Sequence, residues 1–276
     1  MRLVKQLGTV GGVALVGGLV VHAVEGSWIL ALLLGPATAV LTLLAYAWVV
    51  RRTEGREPVE VGLAGAGAAF GRGLAIGTLM FVAVITSIAL VGSYEIVGRG
   101  SIPIALGYLG ITAAAAVSEE LVFRGVLFRI VEERAGTWGA LLLTAALFGA
   151  LHLLNPDATL WGAFAIAVEA GGMLAAAYAA TRTLWLPIGL HLGWNFAMAG
   201  IFGTVVSGSD TPQGLLHGAT SGPVILSGGA FGPEASVFAV LAGLLMTAVF
   251  LRLAHRRGRL VPRRTRAARA RSTVTV

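Results

Sequence analysis

The sequence predicts an all-α membrane protein, a polytopic bundle of about eight spanning helices, on three observations. Of its 276 residues, 57% are hydrophobic and only 12% are charged; a soluble domain has about 45–50% apolar and about 25% charged residues. Mean hydropathy is +0.85. Apolar runs long enough to cross a bilayer, roughly 17–25 residues, recur from one end of the chain to the other.

The runs fall at 8–24, 28–50, 73–92, 103–130, 138–154, 158–180, 185–206 and 235–253. The first follows Met1-Arg2-Leu3-Val4-Lys5, which has the look of a secretory leader. No small-residue cleavage pattern surrounds His22–Glu25, so it reads as a helix that stays in the membrane. The third run opens on Gly73-Leu-Ala-Ile-Gly77, a small-xxx-small pair that lets helix backbones approach closely. The fourth is the longest. The fifth ends at Asn155-Pro156-Asp157, because proline cannot continue a helix. The sixth carries an isolated acid, Glu169. The seventh repeats the small-residue pair at Gly189 and Gly193, on either side of His191. The stretch 207–234 is rich in Gly, Ser and Pro and reads as an external loop.

Orientation follows the lysines and arginines of the short loops. Arg51, Arg52, Arg56, Arg72, Arg129, Arg134 and Arg182 fall on one side with both termini, while Glu25, Glu95, Asp157, Asp210 and Glu234 fall on the other with Arg99 as the basic exception. Both termini are therefore expected in the cytoplasm. The net charge of +7 gathers in the tail, from His255 through Arg263, Arg264, Arg266, Arg269 and Arg271. A basic run directly after an apolar helix is an anchor on anionic lipid. It is not a nucleic-acid signal, since no nucleic-acid-binding fold accompanies it. The absence of cysteine excludes disulfides and thiolate chemistry.

Three polar clusters interrupt this apolar sequence: Glu119-Glu120…Arg124, Phe148…His152 and His191…Asn195. An ionisable group at the centre of a membrane helix costs about 2.5–3.5 kcal/mol on insertion scales, so such groups are candidate functional residues. Glu120 and Arg124 are four apart and share a helix face, where they can pair. Glu119 points about 100° away and is left free to work. His191 and Asn195 share a face in the same way. Taken singly, each cluster has an ordinary reading: a structural ion pair, an interfacial histidine, an interhelical hydrogen bond. Their occurrence together gives the pattern its force, because carboxylate and imidazole activate water and preorganised donors stabilise an oxyanion. Glu169 has no motif around it and reads as structural or water-contacting. His22, His217 and His255 receive no role.

EExxxR, FxxxH and HxxxN in that order on successive membrane helices resemble the CPBP family of intramembrane proteases. That family includes the type II CAAX prenyl endopeptidases and the Abi bacteriocin-immunity-like proteins. The resemblance covers about residues 103–205 and implies a polar chamber in which a peptide bond is hydrolysed. It implies that Glu119 and His152 activate water, that His191 and Asn195 stabilise the oxyanion, and that Glu120, Arg124 and Phe148 support the site. It divides the chain into N-terminal helices (1–100), a catalytic core (101–206), and a loop, last helix and basic tail (207–276).

The family is commonly labelled metalloprotease, yet no HExxH stands in the sequence. Zinc is thus left open, with Glu119, His152 and His191 as the ligand candidates. The expected partners are membrane lipid and a peptide or membrane-protein substrate. The Ala-, Gly- and Arg-rich composition points to a prokaryotic cell membrane. Straight helices put Glu119, His152 and His191 at different depths. A break after Glu120, with 121–137 lying along the bilayer surface, is expected to reconcile them. Two other functions fit the same residues. A proton-coupled transporter would show uptake driven by a pH gradient, and a non-catalytic immunity or assembly protein would tolerate alanine at all four catalytic candidates.

Overall fold

The computed structural model describes residues 1–209 and 214–263. Asp210 and the tail arginines Arg264, Arg266, Arg269 and Arg271 lie outside the described residues. Helices α1 (Arg2–Ala23), α2 (Trp28–Glu54) and α3 (Ala66–Leu90) come first. Helix α4 (Ile102–Glu120) runs into a π-helical segment, Leu121–Phe128, and then into α5 (Arg129–Leu151). Helix α6 (Leu160–Ile166) likewise passes through a π segment, Ala167–Gly172, into α7 (Met173–Thr181). Helix α8 (Trp185–Phe196) ends in a third, Ala197–Ile201. A short α9 (Val224–Ser227) and α10 (Val237–Arg256) follow. A two-stranded antiparallel ribbon, β1 (Tyr94–Arg99) and β2 (Leu216–Thr220), ties the loop after α3 to the loop after α8.

Among the described residues, six helical stretches are long and apolar enough to cross a membrane. The figure differs from the eight expected for two reasons. One of the six, Ile102–Leu154, spans 53 residues and merges two of the expected helices. Helix α8 is short and is not among the six.

The long stretch also corrects the expected break after Glu120. The helix continues there through the π segment and breaks instead at Gly136, where φ is 72° and ψ is 173°. Those angles suit glycine. The chain beyond α10 seals the turn, with Thr137 N donating to Val261 O at 2.9 Å and Val261 N donating to Thr137 Oγ1 at 2.8 Å. The two arms run back along each other, and the rings of Phe123 and Phe148 meet at 5.0 Å. Glu119 and His152 stand almost equally far from Gly136 in sequence, so the reversal brings them level.

Helices α3 and α8 touch backbone to backbone. A Cβ on Gly77 would lie 2.0 Å from Leu190 O, and one on Gly189 would lie 2.2 Å from Phe70 O. The small-xxx-small pairs of the two helices therefore face each other and hold α8, with His191, at a fixed depth. At the end of the bundle away from the ribbon, buried Gln6 donates to Thr53 and Glu54 and accepts from Arg129. There, too, Arg182 pairs with Glu132 across the bundle. These bonds tie α1, α2, α5 and the end of α7, so the expected membrane-surface arginines carry structure as well as charge.

The stretch 207–234 is more than an external loop. Asn155 Nδ2 donates to Ser207 O at 2.6 Å and Gly208 N to Phe231 O at 2.8 Å. Pro233–Ala235 forms a buried turn immediately before α10, which Ser236 caps through its hydroxyl. This fold-back carries Glu234 inside.

Replacing Gly77 by alanine should lower stability by about 1–3 kcal/mol, the usual range for overpacking a tight contact. Thermal unfolding in detergent reads this directly. Wild-type stability would show that α3 and α8 are not in backbone contact.

Candidate active site

Glu120 and Arg124 are both wholly buried. Although Arg124 lies in the π segment, it still meets Glu120 one turn back, Nη1 to Oε1 at 2.8 Å. Its Nη2 donates to Ala170 O and Gly171 O at 3.2 and 3.1 Å. Both carbonyls belong to the second π segment, where the ordinary i to i−4 ladder is interrupted. The guanidinium also sits over the Phe148 ring, 4.9 Å from its centroid, a favourable cation–π position. Arg124 is thus held by a carboxylate, two carbonyls and a ring from three segments.

The same Glu120 oxygen receives His191 Nδ1 at 3.1 Å. A carboxylate can only accept, so Nδ1 of His191 carries the hydrogen and Nε2 faces the other way. On that side stands Glu119, with Oε2 3.9 Å from Nε2. The Glu119 side chain is about one-third exposed. His152 Nδ1 donates to Phe148 O at 2.7 Å; a carbonyl accepts only, which leaves Nε2 of His152 as the basic nitrogen. The Phe148 ring lies 4.8 Å from the His152 ring and 6.2 Å from His191 and so spaces the two imidazoles.

Glu119, Phe148, His152, His191 and Asn195 all line one cavity of about 460 Å³. Glu120 and Arg124 lie behind its wall. Two further acids line it as well. Glu169 is wholly buried, and neither of its oxygens has a hydrogen-bond partner among the described residues. Glu234 accepts Ser207 N and Oγ, each at 2.7 Å, and Trp194 Nε1 at 3.3 Å. Burial pushes the Glu234 carboxyl above the usual carboxylate range, although the Ser207 donors and the nearby His152 imidazole draw it down. The sequence motifs do not contain Glu234, because it reaches the site from a loop and no helical spacing signals it. His22 and Glu25, 3.0 Å apart at the end of α1, also line the cavity. A second, largely apolar cavity of about 370 Å³ adjoins it at Glu119, His22 and Glu25.

The metal candidates Glu119, His152 and His191 share the cavity wall. Even so, among the described residues no three His, Asp or Glu side chains converge as a metal ion requires. The donor set as arranged does not fit catalytic zinc, which takes three protein ligands.

Residues 100–197 match the family model described as type II CAAX prenyl endopeptidase Rce1-like. This part of the chain is therefore similar to that family. The match contains all three polar clusters and stops short of Glu234. Comparison with curated proteins gave no match, and comparison with solved structures gave none. The apolar helices and the likeness of residues 100–197 to that family together indicate an integral membrane protein.

Replacing Arg124 by methionine should destabilise the protein by about 3–5 kcal/mol, because it leaves the Glu120 charge buried without its partner. Chemical denaturation in micelles measures this. A change of less than about 1 kcal/mol would mean that the pair is not buried as described.

Proposed function

We propose that the chain hydrolyses a peptide bond in a membrane-associated substrate, CAAX-like or other, inside the 460 Å³ cavity. The observation that carries this reading is that Glu119, His152 and His191 line one cavity, with Nδ1 of each imidazole bonded elsewhere and Nε2 left over. A water between Glu119 and His152 Nε2 gives up a proton to that pair, and its oxygen attacks the peptide carbonyl carbon. The carbonyl oxygen becomes an oxyanion held by the Asn195 amide and by His191, which as an imidazolium carries a proton on Nε2 as well as on Nδ1. The proton passes to the amide nitrogen, the C–N bond breaks, and acid and amine products separate. Glu120 supports the charge on His191, as the buried carboxylate of a catalytic triad supports its histidine. Arg124 and Phe148 fix Glu120 and the spacing of the imidazoles.

The adjoining apolar cavity, walled by Val21, Ile111, Val122 and Phe123, suits the apolar flank of a membrane-embedded peptide. The arginine-rich loops favour cytoplasmic termini. Every step uses the chain's own groups, and none is routed through zinc.

Replacing Glu119 by glutamine should lower cleavage at least ~100-fold, the low end for loss of a general base, with folding intact. Comparison of peptide termini in membranes with and without the substitution reads it, and full activity in Glu119→Gln would refute the assignment. Treatment of the wild-type protein with a chelator should leave cleavage unchanged. Loss of cleavage restored by added zinc would contradict the metal-independent route.

A further inference from the structure

The cavity holds more acid than the hydrolytic steps use. Glu169 is wholly buried, lines the cavity and has both oxygens unpartnered among the described residues. Its backbone packs closely against α10, since a Cβ on Gly243 would lie 2.4 Å from the Glu169 Cα. Arg124 is the buried cation of this region, and its two terminal nitrogens are committed to Glu120, Ala170 O and Gly171 O. Glu234 lines the same cavity, held in place by Ser207 and Trp194. Each of its oxygens accepts at least one donor, but Oε1 accepts only from Trp194 and keeps acceptor capacity. Each of the three histidines on the wall spends one ring nitrogen elsewhere, His22 on Glu25, His152 on Phe148 O and His191 on Glu120, and the His152 imidazole lies near Glu234.

Buried carboxylates without a cation carry a heavy desolvation penalty that a paired positive charge relieves. Among the described residues, no third carboxylate or imidazole joins Glu169 and Glu234 to complete a metal site. A primary ammonium fits the vacant acceptors better. It brings one charge and three donors on a single nitrogen, and among the acceptors left over in this cavity are the two oxygens of Glu169 and Oε1 of Glu234.

We propose that Glu169 and Glu234 form a subsite for a primary ammonium group of the peptide. The peptide's identity rests on the hydrolase reading above, whereas the ammonium does not. Two sources share this chemistry. One is the amino terminus that hydrolysis creates on the departing fragment, and the other is a lysyl side chain of the substrate.

The test is calorimetric titration of the full-length protein in micelles with three peptides. They are Ala-Leu-Leu amide with a free amino terminus, its N-acetyl form, and N-acetyl-Ala-Lys-Leu amide. At least one amine-bearing peptide should bind ~10-fold or more tighter than the acetylated control, the value of a charge-assisted hydrogen bond. Which of the two gains shows the source. Glu169→Gln should abolish the gain and leave the control's affinity unchanged, and Glu169→Asp, which keeps the charge, should retain it. Equal binding of all three peptides to the wild-type protein overturns the proposal, as does a gain that survives in Glu169→Gln. The readout is binding, so failure here leaves the hydrolytic reading standing, and inactivity of the protein leaves this subsite standing.

Discussion

One buried oxygen, Oε1 of Glu120, organises the molecule. It accepts Arg124 from its own helix and His191 from α8, and Arg124 in turn holds two carbonyls of the segment between α6 and α7. A buried ion pair is weak support for stability in itself, because desolvation offsets most of its attraction. Its effect here is specificity of arrangement. The two terminal nitrogens of Arg124 find their partners only when α4, α5 and the α6–α7 rod come together, and His191 then lies between two carboxylates. Any slip of α8 would strand a charge in an apolar interior.

The three π segments lie where this arrangement needs local departures from the α-helix. One follows the glutamate pair, one contains Glu169 and the carbonyls that Arg124 uses, and one follows Asn195. Such segments disturb the regular ladder and are frequent at functional sites. The glycine contacts between α3 and α8 complement them by fixing depth. The local irregularity and the close helix packing together give adjacent glutamates different surroundings. Glu120 is sealed inside, whereas Glu119 reaches the cavity.

Much of this was legible in the sequence. The membrane class followed from composition, and the spacing of Glu120 and Arg124 foretold a pair that the structure contains. The small-xxx-small residues flanking His191 pointed to the close approach of α8 to a neighbour. The depth of the motifs was not legible, because straight helices put Glu119 and His152 at different levels. The cause is Gly136, whose positive φ places the reversal after residue 135 instead of after Glu120; a glycine followed by threonine gave little local signal. Glu234 was also missed. It lies in a loop, and its burial depends on a fold-back fixed by Ser207, Asn155 and Phe231, all distant from it in sequence. Glu169 was visible as an acid in an apolar helix, but only the cavity gives it a direction.

The most direct test of the central claim is a double-mutant cycle on stability between Glu120→Gln and His191→Gln. Residues sharing a buried hydrogen-bond network show coupling of about 0.5–3 kcal/mol, and independent sites add to within about 0.3–0.5 kcal/mol. The account predicts coupling of at least ~1 kcal/mol, within that range. Additive effects would mean that Glu120 does not hold His191, and the convergence of the three motifs on one cavity would lose its support.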